Sequence, residues 1–176
     1  MNIANKLTMF RIFLIPIFMI FLIFDIEYGQ FIAAAVFIIA AITDYLDGYL
    51  ARSLNLVTTF GKFMDPLADK LLVSAAFISL VEMGKVSSWI AVIIIAREFV
   101  ITGLRVLAAS EGITIAASWW GKLKTISQMV AIILLLINNY PFSLINLPVD
   151  VITLWLAVVF TLVSGFDYIY KNRSII

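Results

Sequence analysis

Long apolar runs are the feature that most constrains this chain. The first of them extends unbroken from Ile12 to Phe24, and further runs follow at intervals up to the C-terminus. In total 64% of the residues are hydrophobic and 13% are charged, whereas soluble domains contain about half apolar residues. Inside a bilayer the backbone N–H and C=O groups have to be paired within the chain, which a helix achieves by itself. The runs therefore predict an integral membrane protein built from helices.

Six apolar segments approach the length of about 20 helical residues that a membrane span requires. Their approximate bounds are 7–24, 30–52, 66–83, 88–109, 125–138 and 149–170. We expect an all-α fold, a six-span transmembrane helical bundle with a short N-terminal surface helix at residues 2–8, and a single domain over residues 1–176. Pro16 should lie inside the first span, and Asp65 should cap a third span that begins at Pro66.

Basic residues are distributed unevenly between the two sets of span ends. One set carries Lys6, Arg11, Arg52, Lys62, Arg105, Lys122, Lys124, Lys171 and Arg173, and the other carries Lys85. Because Lys and Arg accumulate in cytoplasmic loops, this bias predicts a multi-pass protein of the cell membrane. Both termini, and the stretch at residues 44–69, are expected on the cytoplasmic side.

Residues 44–69 concentrate carboxylates between two apolar runs. The stretch contains Asp44, Asp47, Asp65 and Asp69. The members of each pair are three or four residues apart and therefore share a face of a helix. A carboxylate in apolar surroundings is costly unless a partner compensates its charge. One explanation is that the first two aspartates pair with Arg52 or Lys62 near a helix end.

Divalent cations are the other explanation for the four carboxylates. Cys and His are absent from the chain, so any metal has to be held by oxygen, which favours magnesium, manganese or calcium. Gly48 and Ala51 lie on the helix face of Asp44 and Asp47, where their small side chains leave room for a bulky ligand. Three carboxylates that hold two cations and a pyrophosphate, with a fourth as a base, would account for the whole stretch.

Eight positions in this stretch follow the pattern D-x2-D-G-x2-A-R-x8-G-x3-D-x3-D, from Asp44 to Asp69. The pattern resembles the signature of the CDP-alcohol phosphatidyltransferase family. That resemblance implies a six-span membrane enzyme, usually a homodimer, with two divalent cations, Mg²⁺ or Mn²⁺. It implies transfer of the phosphatidyl group of CDP-diacylglycerol to an acceptor alcohol, with release of CMP. No nucleic-acid partner is expected.

The same resemblance implies roles for individual residues. The implied metal ligands are Asp44, Asp47, Asp65 and Asp69. The implied catalytic base is Asp69. The implied nucleotide site consists of Asp44, Gly48, Ala51, Arg52 and Gly61.

Four further segments resemble the branch of the family whose acceptor is sn-glycerol 3-phosphate. They are Asn5–Pro16, Gly61–Lys70, Arg97–Arg105 and Gly121–Gln128. The candidates for binding the substrates' phosphates are then Thr8, Arg11, Lys62, Arg105, Lys122 and Lys124. A dianionic acceptor suits such a group of cations, although the ordinary excess of cytoplasmic basic residues also explains them. Arg97 and Glu98 lie within a span and favour an intramembrane ion pair.

Three alternatives remain open from the sequence. In the first, the acceptor is a different alcohol, such as inositol phosphate, serine or phosphatidylglycerol; measuring the release of CMP with each alcohol would distinguish these. In the second, the carboxylates belong to an ion or proton transporter, but they cluster at one end of the spans. In the third, the chain is a prenyl-type transferase, but its glycine and Ala-Arg positions do not resemble that class.

Overall fold

The computed structural model describes the backbone of residues 3–24, 26–53, 59–110, 112 and 118–173. Side chains are described for residues 6–24, 26–44, 46, 67–110, 112 and 118–173. These residues form α1 (Ile3–Ile23), α2 (Gly29–Ser53), α3 (Thr59–Glu82), α4 (Ser88–Ser110), α5 (Trp119–Leu136), a short 3₁₀-helix (Phe142–Ile145) and α6 (Val149–Lys171). The described backbone contains no strand, so the all-α prediction is confirmed.

The first helix is longer than expected. α1 runs without interruption from Ile3 and passes through Pro16, so the described residues contain no separate surface helix before the first span. That part of the prediction was wrong because Thr8 and Arg11 are fully buried. Their turn of helix packs into the protein instead of lying on its surface.

Two other helices also begin earlier than predicted. α3 starts at Thr59, which places Asp65 inside the helix and not at its N-cap. Pro66 therefore lies inside the helix and removes one backbone hydrogen bond. Helices of membrane proteins tolerate this loss because neighbouring groups can satisfy the freed carbonyl. α5 starts at Trp119, where the Ser118 side chain accepts a hydrogen bond of 3.1 Å from the backbone N–H of Gly121. From the sequence we expect a loop or a surface helix from Ser110 to Lys124; the last residues of that segment, from Trp119, belong to α5.

The chain divides into two compact units, Met1–Met83 with α1 to α3 and Gly84–Ile176 with α4 to α6. The expected single domain stays a prediction. In the first unit α1 packs against both α2 and α3. The rings of Phe18 and Phe37 are fully buried, with their centroids 6.1 Å apart. Small residues allow close approach of neighbouring helices, and the fully buried ones are Ala33, Ala40, Ala68 and Ala76.

In the second unit α6 packs against both α5 and α4. Apolar side chains such as Ile94, Ile132 and Leu136 are fully buried there. Two hydrogen bonds between side chains join the helices as well. Gln128 Nε2 donates to Thr161 Oγ1 over 3.0 Å, and Arg97 Nη2 donates to Ser164 Oγ over 2.9 Å; both acceptors belong to α6.

Among the described residues, three helices are long and apolar enough to cross a membrane: α1, α5 and α6. The apolar part of α2, Gly29–Asp44, is shorter, and α4 carries Arg97, Glu98 and Arg105 within its length. Six spans are therefore confirmed only in part, since charges interrupt the apolar length of the other helices.

Lys85, which the sequence places at the opposite span ends from the nine basic residues of the larger set, lies in the turn between α3 and α4. Its Nζ donates to the backbone O of Leu135 and to Asn138 Oδ1, each over 2.7 Å. Burial lowers the pKa of Lys85 from its ordinary value, and the nearby Asp150 carboxylate opposes that shift. Because the last carbonyl groups of a helix lack partners within the helix, Lys85 caps the C-terminal end of α5.

Candidate active site

Residues 44–69 join the C-terminal part of α2 to the N-terminal part of α3. α2 continues to Ser53, so the predicted stripe of carboxylates and small residues does lie on a helix. The described side chains of this stretch include Asp44 and Asp69. The other predicted site residues of the stretch lie outside the described side chains, namely Asp47, Gly48, Ala51, Arg52, Gly61, Lys62 and Asp65. Their roles stay predictions.

An arginine from α1 contacts the Asp44 carboxylate. Arg11 Nη1 lies 2.6 Å from Asp44 Oδ1, in an ion pair that joins α1 to α2. The side chain of Arg11 is 0% exposed, while that of Asp44 is 35% exposed. A buried guanidinium requires a compensating charge, and Asp44 supplies it. Because Asp44 keeps about a third of its surface open, its carboxylate can also meet a ligand from outside.

The predicted base, Asp69, lies on α3 beside the fully buried Ala68. Its Oδ2 accepts a hydrogen bond of 2.5 Å from the Nζ of Lys70, and both side chains are 20% exposed. This contact between adjacent residues orients the carboxylate. The remaining exposure leaves Asp69 accessible to a substrate hydroxyl, as a general base has to be.

The residues predicted to bind phosphate differ in exposure. Thr8 and Arg11 are fully buried on one face of α1, and Lys124 is 2% exposed on α5. Arg105 and Lys122 are exposed. A cation that is open to solvent can receive a phosphate directly, whereas a buried one first has to leave its present partner.

Aromatic rings lie next to the exposed cations. The guanidinium carbon of Arg105 is 5.9 Å from the centroid of the Tyr168 ring, and Lys122 Nζ is 5.7 Å from that of Trp119. Both distances fall within the range of cation–π attraction. These rings position the two cations without neutralising their charge, so the positive charge remains available to an anion.

A buried ion pair joins α4 to α5 in the second unit. Glu98 Oε1 binds the Nζ of Lys124, with side chains 2% and 3% exposed. Arg97 Nη1 is a more distant neighbour, 3.7 Å from the same oxygen. The predicted ion pair of Arg97 and Glu98 is confirmed, but Lys124 is the closer partner. The sequence did not indicate this partner because it lies on the following helix.

Sequence reasoning did not identify the polar side chains of α6 that meet these groups. Thr161 and Ser164 are fully buried and receive hydrogen bonds from Gln128 and Arg97. Their spacing of three residues, which puts both on one helix face, was the available signal. Hydroxyl groups are common in membrane helices, however, so the spacing alone does not predict a partner.

Comparison with known proteins agrees with the motif. The model of the family described as CDP-alcohol phosphatidyltransferase matches residues 1–163. A relative from Bacillus subtilis, named CDP-diacylglycerol–glycerol-3-phosphate 3-phosphatidyltransferase, is 49% identical over 97% of this chain and 95% of its own. A protein of that name from Haemophilus influenzae is 43% identical over 98% and 94%. A probable phosphatidylglycerophosphate synthase from Mycobacterium tuberculosis is 39% identical over 97% and 81%. The chain belongs to the CDP-alcohol phosphatidyltransferase family.

Proposed function

We propose that this protein transfers the phosphatidyl group of CDP-diacylglycerol to sn-glycerol 3-phosphate, forming phosphatidylglycerophosphate and CMP. The observation that carries the proposal is similarity over nearly the full chain to proteins named for this reaction, at up to 49% identity. The reaction belongs to phospholipid biosynthesis, where both the lipid donor and the lipid product reside in a membrane. The apolar lengths of α1, α5 and α6 support a membrane location.

In the proposed reaction Asp69 is the base. Its carboxylate takes the proton of the acceptor hydroxyl as that oxygen attacks the phosphorus that carries the diacylglycerol. A new P–O bond forms to glycerol 3-phosphate, and the bond from this phosphorus to the oxygen of the CMP phosphate breaks. CMP leaves with that oxygen. Holding both substrates in one site lowers the barrier because their encounter no longer has to be reached by diffusion.

The chemistry of the described donors supports hard divalent cations, Mg²⁺ or Mn²⁺, as the proposed cofactors. Asp44 and Asp69 present carboxylate oxygens, the ligands that these ions prefer, and neither side chain is fully buried. The proposed ligand set is Asp44, Asp47, Asp65 and Asp69. Bound there, the ions would stabilise the negative charge of the pyrophosphate and of the departing CMP.

Substrate binding is proposed for two groups of residues. The nucleotide would contact Asp44, Gly48, Ala51, Arg52 and Gly61. Among the candidate phosphate-binding residues, the exposed cations Arg105 and Lys122 are the best placed to receive a phosphate, since their charge is accessible. A phosphate group prefers such cations, which form charge-assisted hydrogen bonds with its oxygens.

Topology and assembly complete the proposal. The distribution of basic residues supports six spans with both termini and the active site on the cytoplasmic side, where CMP is released. The family resemblance supports a homodimer. Labelling of single cysteines introduced at the two termini and in the α3–α4 turn, in intact cells, tests the topology because the native chain has no Cys.

Release of CMP tests the reaction. Purified protein is incubated with CDP-diacylglycerol, Mg²⁺ and each acceptor alcohol in turn, with a chelator control. We expect release with glycerol 3-phosphate, none with chelator, and a fall of at least about 100-fold for Asp69→Asn because the base is lost. The matched control is Glu82→Gln, an exposed carboxylate at the other end of α3, which should retain wild-type activity. Release with serine or inositol phosphate but not glycerol 3-phosphate would contradict the acceptor assignment.

A further inference from the structure

Arg11 occupies a core position of α1. Arg11, Leu14 and Phe18 lie on one helix face, and all three are buried. On α2 the fully buried Phe37 and Ala40 precede Asp44 in the same packed stripe. The Arg11–Asp44 contact of 2.6 Å thus continues the apolar packing of α1 against α2 with a pair of opposite charges.

This burial argues against a direct role of Arg11 in binding substrate. Its side chain is 0% exposed, so a phosphate can reach the guanidinium only if the α1–α2 contact opens. The exposed cations Arg105 and Lys122 present no such obstacle. A buried guanidinium that loses its carboxylate partner is strongly unfavourable, which ties Arg11 to Asp44.

Asp44 differs from Arg11 in that 35% of its side chain is exposed. One end of the pair is therefore sealed in the core, and the other end is open to a ligand. A positive charge held against a carboxylate compensates its charge and fixes its orientation when no cation is bound. The same charge weakens the attraction of that carboxylate for an arriving divalent cation, because like charges repel at short range.

We propose that Arg11 is a positioning residue that holds Asp44 in place and compensates its charge in the metal-free protein. The inference rests on the proposed function in one respect, namely that Asp44 is a metal ligand. Arg11 then makes the folded site independent of the metal and limits how tightly the metal is held. The protein can consequently lose and regain its cations without losing the packing of α1 against α2.

Thermal unfolding of the full chain in detergent micelles tests this proposal without any substrate. Unfolding is followed by tryptophan fluorescence, first with chelator and then with increasing Mn²⁺. We expect Arg11→Met to lower the Tm by roughly 5 °C in chelator, since it removes one partner of a partly buried pair. We also expect Mn²⁺ to raise the Tm of this variant by at least about twice the shift seen in the wild type, because the Arg11 charge that opposes cation binding at Asp44 is then absent.

Two further variants serve as controls. Arg11→Lys keeps the positive charge and should show a Mn²⁺ shift close to that of the wild type. Lys6→Met removes an exposed cation of the same helix and should change neither quantity. If Arg11→Met matches the wild type in both chelator and Mn²⁺ while the KM for CDP-diacylglycerol rises, Arg11 binds substrate and the proposal is wrong.

A double-variant comparison covers the case in which Arg11→Met does not fold. Asp44→Asn removes the carboxylate charge that lies 2.6 Å from the buried Arg11 guanidinium, so its Tm in chelator should fall below that of the Asp44→Asn/Arg11→Met pair. A double variant less stable than Asp44→Asn would overturn the proposal. The Tm measurements use neither CDP-diacylglycerol nor an acceptor. A failure of the proposed reaction, seen as absence of CMP release, is therefore distinguishable from a failure of this inference.

Discussion

Removal of the Glu98 charge should destabilise the second unit more than removal of its closest partner. The Glu98 and Lys124 side chains are 2% and 3% exposed, so water cannot compensate either charge. In Glu98→Gln, Lys124 and the neighbouring Arg97 both lose their carboxylate. Breaking a buried pair in this way costs about 3–5 kcal/mol of unfolding free energy.

The reverse change, Lys124→Met, leaves Glu98 with a second cation. Arg97 Nη1 is 3.7 Å from Glu98 Oε1 and can move closer, while its Nη2 is held by Ser164. We therefore expect a smaller loss, about 1–3 kcal/mol. The double variant Glu98→Gln/Lys124→Met should lose at least about 1 kcal/mol less than the sum of the two single losses, because the contact is shared.

Titration with a denaturing detergent, followed by tryptophan fluorescence in mixed micelles, measures these free energies. The control is Lys171→Met, which removes a cation that is 63% exposed and paired with Asp167 at 2.7 Å. Such a surface pair contributes less than about 1 kcal/mol. The reasoning is refuted if Glu98→Gln lies within about 1 kcal/mol of the wild type, or if Lys124→Met costs as much as Glu98→Gln.

Two further predictions concern α5. Lys85→Met removes two hydrogen bonds at the C-terminal end of α5 and should lower the unfolding free energy by about 1–2 kcal/mol at pH 7. The pKa of Lys85 is lowered in the folded protein, so just below pH 10.5 the unfolded chain binds more protons than the folded one. The wild type should therefore gain stability relative to Lys85→Met as the pH rises through that range. A stability difference that does not change with pH would contradict this prediction. Thr161→Val removes the hydroxyl that accepts a hydrogen bond from the buried Gln128 amide, and should cost about 1–3 kcal/mol of unfolding free energy in the same detergent titration. Gln128→Leu should cost less, because the Thr161 hydroxyl still donates to the Ala157 carbonyl. Equal costs for the two variants would contradict this order.

The helix ends that were predicted well have local causes. α2, α4 and α6 begin and end within a few residues of their predicted bounds because glycines, prolines and charged residues interrupt the apolar runs there. α3 and α5 begin early for the opposite reason. Polar residues in their first turns suggested connecting segments, yet a polar residue can lie on a helix and face a partner. Lys124, buried against Glu98, is an example of this.

The aspartate motif was recognisable from spacing alone, but its partners were not. Sequence separation made Arg52 or Lys62 the natural candidates to pair with Asp44, since both lie close to it in the chain. Arg11 lies on another helix, and only the packing of α1 against α2 brings it within 2.6 Å. The partner of Glu98 on α5 required tertiary packing for the same reason. Such contacts depend on which helix faces meet, and helix period by itself does not specify this.

The two buried cations among the described side chains were predicted to have one role, and their surroundings differ. Arg11 and Lys124 are each sealed in a core and bound to a carboxylate on a neighbouring helix. The carboxylates differ, since Asp44 is 35% exposed and Glu98 is 2% exposed. A ligand can therefore compete for Asp44 but not for Glu98 unless the unit opens. This difference makes Arg11–Asp44 the pair that the proposed metal binding would modulate, whereas the sealed Glu98–Lys124 pair joins α4 to α5 independently of any ligand at Asp44.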